Sequence, residues 1–188
     1  MAKKLSEMSL EELWRLFPIR LIENQPCWRT WYGDEWDFLS KILPKTVKIH
    51  HIGSTAIGSI WAKPIVDILV EIPQNEGLSN YKTLLIHNGY ICMSEEEKRL
   101  SFNKGYTENG FAERVFHLHL RYIGDNDELY FRDYLMENPE IAREYEVLKL
   151  ALWKEFEFNR DGYTNAKTDF VRACTEKAKQ LYGNRYQD

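Results

Sequence analysis

Residues 50–71 read His50-His51-Ile52-Gly53-Ser54-Thr55-Ala56-Ile57-Gly58-Ser59-Ile60-Trp61-Ala62-Lys63-Pro64-Ile65-Val66-Asp67-Ile68-Leu69-Val70-Glu71. A short strand runs into Gly53-Ser54, a turn of small residues follows, and a second strand then carries an acid. Gly53 lets the backbone approach a ligand closely. The hydroxyls of Ser54 and Thr55 stand beside backbone N–H groups, a combination that can cradle phosphate. The spacing is neither GxxxxGK[ST] nor GxGxxG. An ordinary turn would use the same small residues, so Gly-Ser-Thr alone does not define a site.

Asp67 adds chemistry. With a period of two, Ile65, Asp67, Leu69 and Glu71 share one strand face, opposite Val66, Ile68, Val70 and Ile72. A carboxylate inside an apolar strand costs free energy unless it is paired or metal-bound. A core cation such as Lys63 is one partner for it, and a metal ion is another. Glu71 lies about 13 Å further along at ~3.3 Å per residue, too far to share one ion with Asp67, and reads as a solvated strand end.

A second segment, Val115-Phe116-His117-Leu118-His119-Leu120-Arg121-Tyr122, alternates in the same way. His117, His119 and Arg121 share a face, and two imidazoles at i, i+2 can present themselves to one metal ion or one phosphate.

Outward from these segments, Ser9-Leu10-Glu11-Glu12 is a capping box that starts a short helix ending before Pro18. Trp31 to Leu43 suits a second helix, stopped by Pro44. Thr46–Ile52 and Ile65–Ile72 read as strands, and Leu78–Asn88 as a helix ended by Gly89. Further strands are expected at Tyr90–Met93, about Lys98–Tyr106 and Val115–Tyr122, with turn residues over Asn103–Gly110. Beyond Asp125 the chain is helical. Asp125-Asn126-Asp127 caps one helix, and Asn138-Pro139 starts the next. Asp161-Gly162 marks a break before a last helix that ends at Gly183. Helices at both ends of a set of strands that do not strictly alternate with them indicate α+β, a mixed sheet flanked by helices with a helical C-terminal part.

The chain has 188 residues, 25 Lys plus Arg against 29 Asp plus Glu, and a net charge of −4. One domain over residues 1–188 is expected at this length. The charge excludes a general nucleic-acid binder, which needs a basic footprint. Cys27, Cys92 and Cys174 are far apart with no CxxC, as free thiols of a reducing cytosol would be. No apolar h-region follows the first residues and no stretch is long enough to span a bilayer, so a cytoplasmic protein without a membrane partner is expected. The 26 aromatic residues fall mostly at core positions of helices, leaving Trp61 as the one placed to touch a base.

Several of these residues together resemble the GrpB family. They are His51-Ile-Gly-Ser-Thr-Ala56, Lys63-Pro64-Ile-Val-Asp67-Ile68, His117-Leu-His119, and Phe131-Arg132-Asp133-Tyr134-Leu135 with Asn138-Pro139. Pro18-Ile19-Arg20-Leu21 near the start, and Tyr145, Lys149 and Tyr163-x-x-x-Lys167-x-x-Phe170 near the end, extend the match over nearly the whole chain. GrpB proteins are similar to the nucleotidyltransferase superfamily of DNA polymerase beta and the aminoglycoside nucleotidyltransferases. That resemblance implies a Gly-Ser turn holding nucleotide phosphates. A fusion of GrpB to dephospho-CoA kinase in some bacteria points to nucleotide or coenzyme A metabolism.

Carried over residue by residue, Gly53 and Ser54 match the superfamily's Gly-Ser, and Asp67 matches the first acid of its Asp-x-Asp. The second acid falls on Leu69 and the third near His117 or His119. A pair of Mg²⁺ ions held by three carboxylates is therefore not available. Asp67 with one or both of His117 and His119 suits a single, softer ion, Zn²⁺, Mn²⁺ or Ni²⁺.

The expected function is a nucleotidyltransferase-like protein binding a nucleoside triphosphate or related phosphorylated small molecule. Its phosphates would lie on Gly53, Ser54, Thr55 and Lys63, with a divalent ion (Mg, Mn or Zn) on Asp67, His117 and His119. Asp67 and His119 are the candidate catalytic groups, and Arg121 or Arg114 would neutralise phosphate. The alternatives are a catalytically silent nucleotide- or metabolite-binding module and a metal-dependent hydrolase on the Asp67/His117/His119 cluster.

Overall fold

The computed structural model describes residues 3–187. After a single 3₁₀ turn at Leu5–Glu7 come α1 (Leu10–Leu16), α2 (Cys27–Ile42), β1 (Lys48–Ile52), α3 (Ser54–Ile57), β2 (Val66–Ile72) and α4 (Leu78–His87). Then follow β3 (Ile91–Glu95), β4 (Arg99–Thr107), β5 (Gly110–Tyr122), α5 (Asp127–Glu137), α6 (Pro139–Phe156), α7 (Arg160–Asn165) and α8 (Thr168–Tyr182). The strands form one mixed sheet in the order β1-β2-β5-β4-β3. Only the central β2–β5 pair is parallel; the other neighbours are antiparallel. This is the expected α+β class.

The period-two pattern of β2 sorts its two faces. Val66, Ile68, Val70 and Ile72 are buried with Trp28 and Leu39 of α2 and Tyr81 and Leu85 of α4. On the other face Leu69 meets Ile52 and Leu129. Tyr130, Phe131, Tyr145, Cys174 and Ala178 form a second cluster among α5, α6 and α8, joined by Ile57 of α3. The sheet therefore has α2 and α4 on one side and α3 with the C-terminal helices on the other. Burial of these apolar side chains, at roughly 25 cal/mol per Å² removed from water, is the main force holding the layers together. No helix among the described residues is long and apolar enough to cross a membrane.

Several expectations shift for physical reasons. The Ser9/Glu12 capping box forms as read, with Glu12 N donating to Ser9 Oγ at 3.2 Å. Helix α2 begins at Cys27, four residues before Trp31. Asn103–Gly110 is not a loop: β4 continues to Thr107 through a register shift between Lys104 and Tyr106. Gly105 absorbs it at φ 88°, where a Cβ would overlap the Arg114 carbonyl. Asp161-Gly162 is not a break either. It forms the first turn of α7, because Asn159 Oδ1 accepts from Gly162 N at 2.9 Å. Asn126 makes no cap for α5; its side-chain amide donates instead to Glu71 Oε1 and the Tyr186 carbonyl, both at 2.9 Å.

Candidate functional site

Gly53 joins β1 to α3 at φ 70° and ψ −173°, a conformation reserved for glycine. It follows Ile52, which pairs in register with Asp67 across the antiparallel β1–β2 ladder. A Cβ on residue 53 would overlap Asp67 Oδ2. Thr55 is buried and its hydroxyl meets His51 Nε2 at 3.0 Å, which ties the turn to the strand before it. His51 is stacked on Tyr32 at 4.6 Å, and burial lowers its pKa to about 4. Ala62 of the return segment pairs with Ile22, fixing where the chain re-enters the sheet.

Asp67 lies opposite His117 in the parallel β2–β5 register. His117 Nδ1 stands 3.3 Å from Asp67 Oδ1, and His119 Nε2 stands 3.9 Å from the same oxygen. Burial alone would raise the Asp67 pKa, but hydrogen bonding from His117 and His119 outweighs it and holds the carboxyl well below its usual range. Burial lowers His117 to about 4, so Asp67 is an anion beside a neutral imidazole at physiological pH. Behind His117, its Nε2 meets the Tyr106 hydroxyl at 2.8 Å, and Arg160 donates to that same hydroxyl oxygen at 2.6 Å. Tyr106 is itself packed on Phe17 and Phe111.

Cations gather around this carboxylate and the Gly53-Ser54 turn. Lys149 of α6 donates to Ser54 Oγ at 3.1 Å and to the Trp61 carbonyl. Lys63 and Lys167 both lie over the Tyr163 ring, 5.7 and 4.2 Å from its centre. Burial lowers the pKa of Lys63 to about 7, with Arg160 and Lys167 adding repulsion and Asp67 opposing it. Burial also brings Lys149 to about 7, helped by Lys167 and Lys63, and brings Lys167 to about 8 against the attraction of Asp67. A cavity of about 700 Å³ opens over Ile52, Gly53, Asp67 and His119, walled by Phe131, Tyr145 and Lys167. Its volume lies within the range of small-molecule pockets.

The structure thus brings together Gly53, Ser54, Lys63, Asp67, His117 and His119. Arg121 meets this group through His119, whose Nδ1 lies 3.5 Å from its NH2, and is otherwise engaged outside it. Its NH1 donates to the Leu100 and Leu120 carbonyls at 3.3 Å, and its other nitrogens lie 3.9 Å from Asp125 and Glu128. Arg114 pairs with Asp34 at the surface. The backbone N–H of Trp61 donates to Glu146. Glu71 is no solvated strand end. It is 2% exposed and accepts from Gly124 N at 3.1 Å and Asn126 Nδ2 at 2.9 Å, while His50 Nε2 lies 3.0 Å away.

Sequence reasoning did not select Tyr106, Arg160, Lys149 and Lys167 as site residues. For the two lysines a signal existed, since Lys149 and Tyr163-x-x-x-Lys167 are among the residues that carry the family resemblance. Three acids for a Mg²⁺ pair are not present: Leu69 is fully buried in its apolar cluster, and His117 stands beside Asp67. Among the described residues, no group of three or more His, Cys, Asp or Glu side chains is placed to hold a metal ion.

A family model described as GrpB protein matches residues 18–177. UPF0157 protein YqkA of Bacillus subtilis is 31% identical over 184 residues, 94% of this chain, and the chain spans 53% of that protein's length. Glutamate-rich protein GrpB of Alkalihalophilus pseudofirmus is 34% identical over 158 residues, covering 80% of this chain and 90% of that protein. Conserved protein GrpB from Enterococcus faecalis superposes with a TM-score of 0.75 at 30% identity, over 87% of this chain and 99% of that one. The Cid1 poly(U) polymerase, crystallised with MgGTP, gives a TM-score of 0.52 at 13% identity over 78% of this chain and 47% of Cid1, a likeness in fold alone.

Proposed function

The chain belongs to the GrpB family, and from that premise we propose that it is a nucleotidyltransferase-like protein that binds a nucleoside triphosphate or a related phosphorylated small molecule. The observation that carries this reading is the lysine cluster. Lys63 and Lys167 lie over the Tyr163 ring and are attracted by Asp67, Lys149 reaches the Ser54 hydroxyl, and burial lowers the pKa of all three. Burying like charges together is unfavourable, and a bound polyanion relieves it. The turn at Gly53-Ser54 lets phosphate oxygens approach the backbone, and the cavity above gives room for the rest of the molecule.

A catalytically silent module is the second reading. Leu69, in the place of the second acid, favours it, because a fully buried leucine removes the carboxylate that two-ion nucleotidyl transfer requires. Thermal shift with each nucleoside triphosphate and with coenzyme A-type diphosphates tests binding, since a ligand of the folded state raises the melting temperature. Pyrophosphate release from a bound triphosphate would establish transfer and remove the silent reading. An unchanged melting temperature with every phosphorylated compound would remove both.

A further inference from the structure

We propose that the phosphate groups of the ligand are held by the chain's own cations, Lys63, Lys149, Lys167 and Arg160, with no divalent metal ion between them and Asp67. The inference rests on reading the cavity as a phosphate site, and it concerns how that site neutralises charge.

The hydrogen bonds around Asp67 support it first. Arg160 can only donate, so the Tyr106 oxygen accepts from it. The proton of that half-buried hydroxyl needs an acceptor, and His117 Nε2, 2.8 Å away, is the one in reach among the described residues. His117 Nε2 is then the bare nitrogen, and the proton sits on Nδ1, facing Asp67 at 3.3 Å. The same logic applies to His119. Its Nδ1 accepts from Arg121 NH2 at 3.5 Å, which leaves the proton on Nε2, the nitrogen that faces Asp67. Both imidazoles therefore turn an N–H toward the carboxylate. A metal ion shared with Asp67 would need lone pairs in those places.

The cations supply the second argument. Metal ions in phosphoryl and nucleotidyl sites neutralise phosphate and bridge it to carboxylates, a task that Arg and Lys clamps also perform. Here Lys63 and Lys167 share the Tyr163 ring, Lys149 touches Ser54, and Arg160 repels Lys63 closely enough to lower its pKa. Lys63 and Lys167 are both attracted by Asp67, Lys149 stands at Ser54 on the turn beside it, and Arg160 reaches the Tyr106 hydroxyl behind His117, while Lys167 is the one of the four that lines the cavity. Arg160 NH2 is also buried without a hydrogen-bond partner. A buried, unpaired guanidinium donor is costly, and a phosphate oxygen is a suitable acceptor for it. Asp67 then serves to orient the imidazoles and the turn.

The test is calorimetric titration of chelator-treated protein with ATP and with inorganic tripolyphosphate. Each is run in EDTA and again with Mg²⁺, Mn²⁺ or Zn²⁺. Affinity in EDTA within about threefold of that with an ion supports the inference. Binding that appears only with an ion overturns it and leaves the phosphate site standing, whereas no binding in any arm overturns the phosphate site itself and the inference with it. Direct titration with Mn²⁺ and Zn²⁺ is expected to show no saturable site. A stoichiometric ion that disappears in Asp67→Asn would overturn the proposal.

Lys167→Gln and Arg160→Gln should each weaken binding in EDTA by about tenfold or more. Lys167→Gln should do so without lowering the melting temperature, because it removes a half-buried charge that repels Lys63, whereas a merely structural Lys167 would cost stability when lost. Unchanged affinity in both variants would also overturn the proposal.

Discussion

Gly53 and Asp67 stand so close that a Cβ on the glycine would overlap the aspartate's Oδ2 and lie 3.0 Å from its Cβ and Cγ. The turn and the acid are therefore one unit. Its backbone conformation, φ 70° with ψ −173°, is closed to other residues at a cost of order 1–3 kcal/mol. Gly53→Ala should destabilise the protein by about 2–4 kcal/mol once the overlap is added. Affinity for phosphorylated ligands should fall with it, because Asp67 or Ser54 must move. Gly33, in α2 with open space around it, is the control, and Gly33→Ala should stabilise by about 0.5–1 kcal/mol. Urea denaturation of both variants checks this. A Gly53→Ala protein of unchanged stability would show that the turn is not packed on Asp67.

The clustered lysines predict opposite pH trends for stability and for binding. Folded-state values of about 7 for Lys63 and Lys149 and about 8 for Lys167 lie below the ordinary 10.5. Between those limits the unfolded chain binds more protons than the folded one, so stability rises with pH from about 7 towards 10. Anion binding needs the lysines charged, so affinity for inorganic tripolyphosphate should fall by about tenfold or more between about pH 6 and pH 9. Asp67, held well below its usual range, stays ionised across this window, and His117, lowered to about 4, stays neutral. Calorimetry in buffers of different ionisation enthalpy should show proton uptake on binding at pH 8. Binding with no proton uptake would mean that the lysines do not meet the ligand.

Much of this arrangement is legible in the sequence because β2 and β5 alternate cleanly. The period of two in Ile65-to-Ile72 and Phe116-to-Tyr122 places Asp67, His117 and His119 on one face, and the parallel register then sets Asp67 beside His117. What lies outside that signal comes from helices and a bulge. Lys149 and Lys167 reach Ser54 and Tyr163 only because α6 and the α7–α8 junction pack over the sheet. Tyr106 is in phase with His117 only because Gly105 breaks the β4 register, and residues 103–110 look like a loop for the same reason, being rich in Gly and Asn. Glu71 looked like a strand end because its partners, Gly124 and Asn126, follow β5 by sequence and not β2.

Glu71 is a stability residue, separate from the ligand site. Burial would raise its pKa, but contacts from His50, Gly124 and Asn126 hold it below the ordinary value. Its contribution is therefore present above the unfolded-state value of 4.5 and is lost as pH falls through the lower folded one. Glu71→Ala leaves the Gly124 N–H without its acceptor and the Asn126 amide with only the Tyr186 carbonyl, and should cost about 2–4 kcal/mol, with Glu71→Gln milder. Phosphate affinity should be unaltered in Glu71→Gln, because none of the clustered lysines touches it. A drop in affinity at constant stability would place Glu71 in the site.

Tyr106→Phe isolates the link between Arg160 and His117. The ring keeps its packing on Phe17 and Phe111, while Arg160 NH1 and His117 Nε2 both lose the hydroxyl that joins them. Two buried polar atoms are left unsatisfied, so stability should fall by about 1–3 kcal/mol. The more telling readout is the imidazole. With the hydroxyl gone, nothing fixes the bare nitrogen at Nε2, and ¹⁵N chemical shifts of His117 should move from the Nδ1–H form toward a mixture of tautomers. The His119 shifts should stay as they are, since its Nδ1 is held by Arg121. Unchanged His117 shifts would mean that Asp67 alone sets the tautomer. The lone pair at Nε2 would still face away from the carboxylate, but Arg160 would then have no part in orienting it.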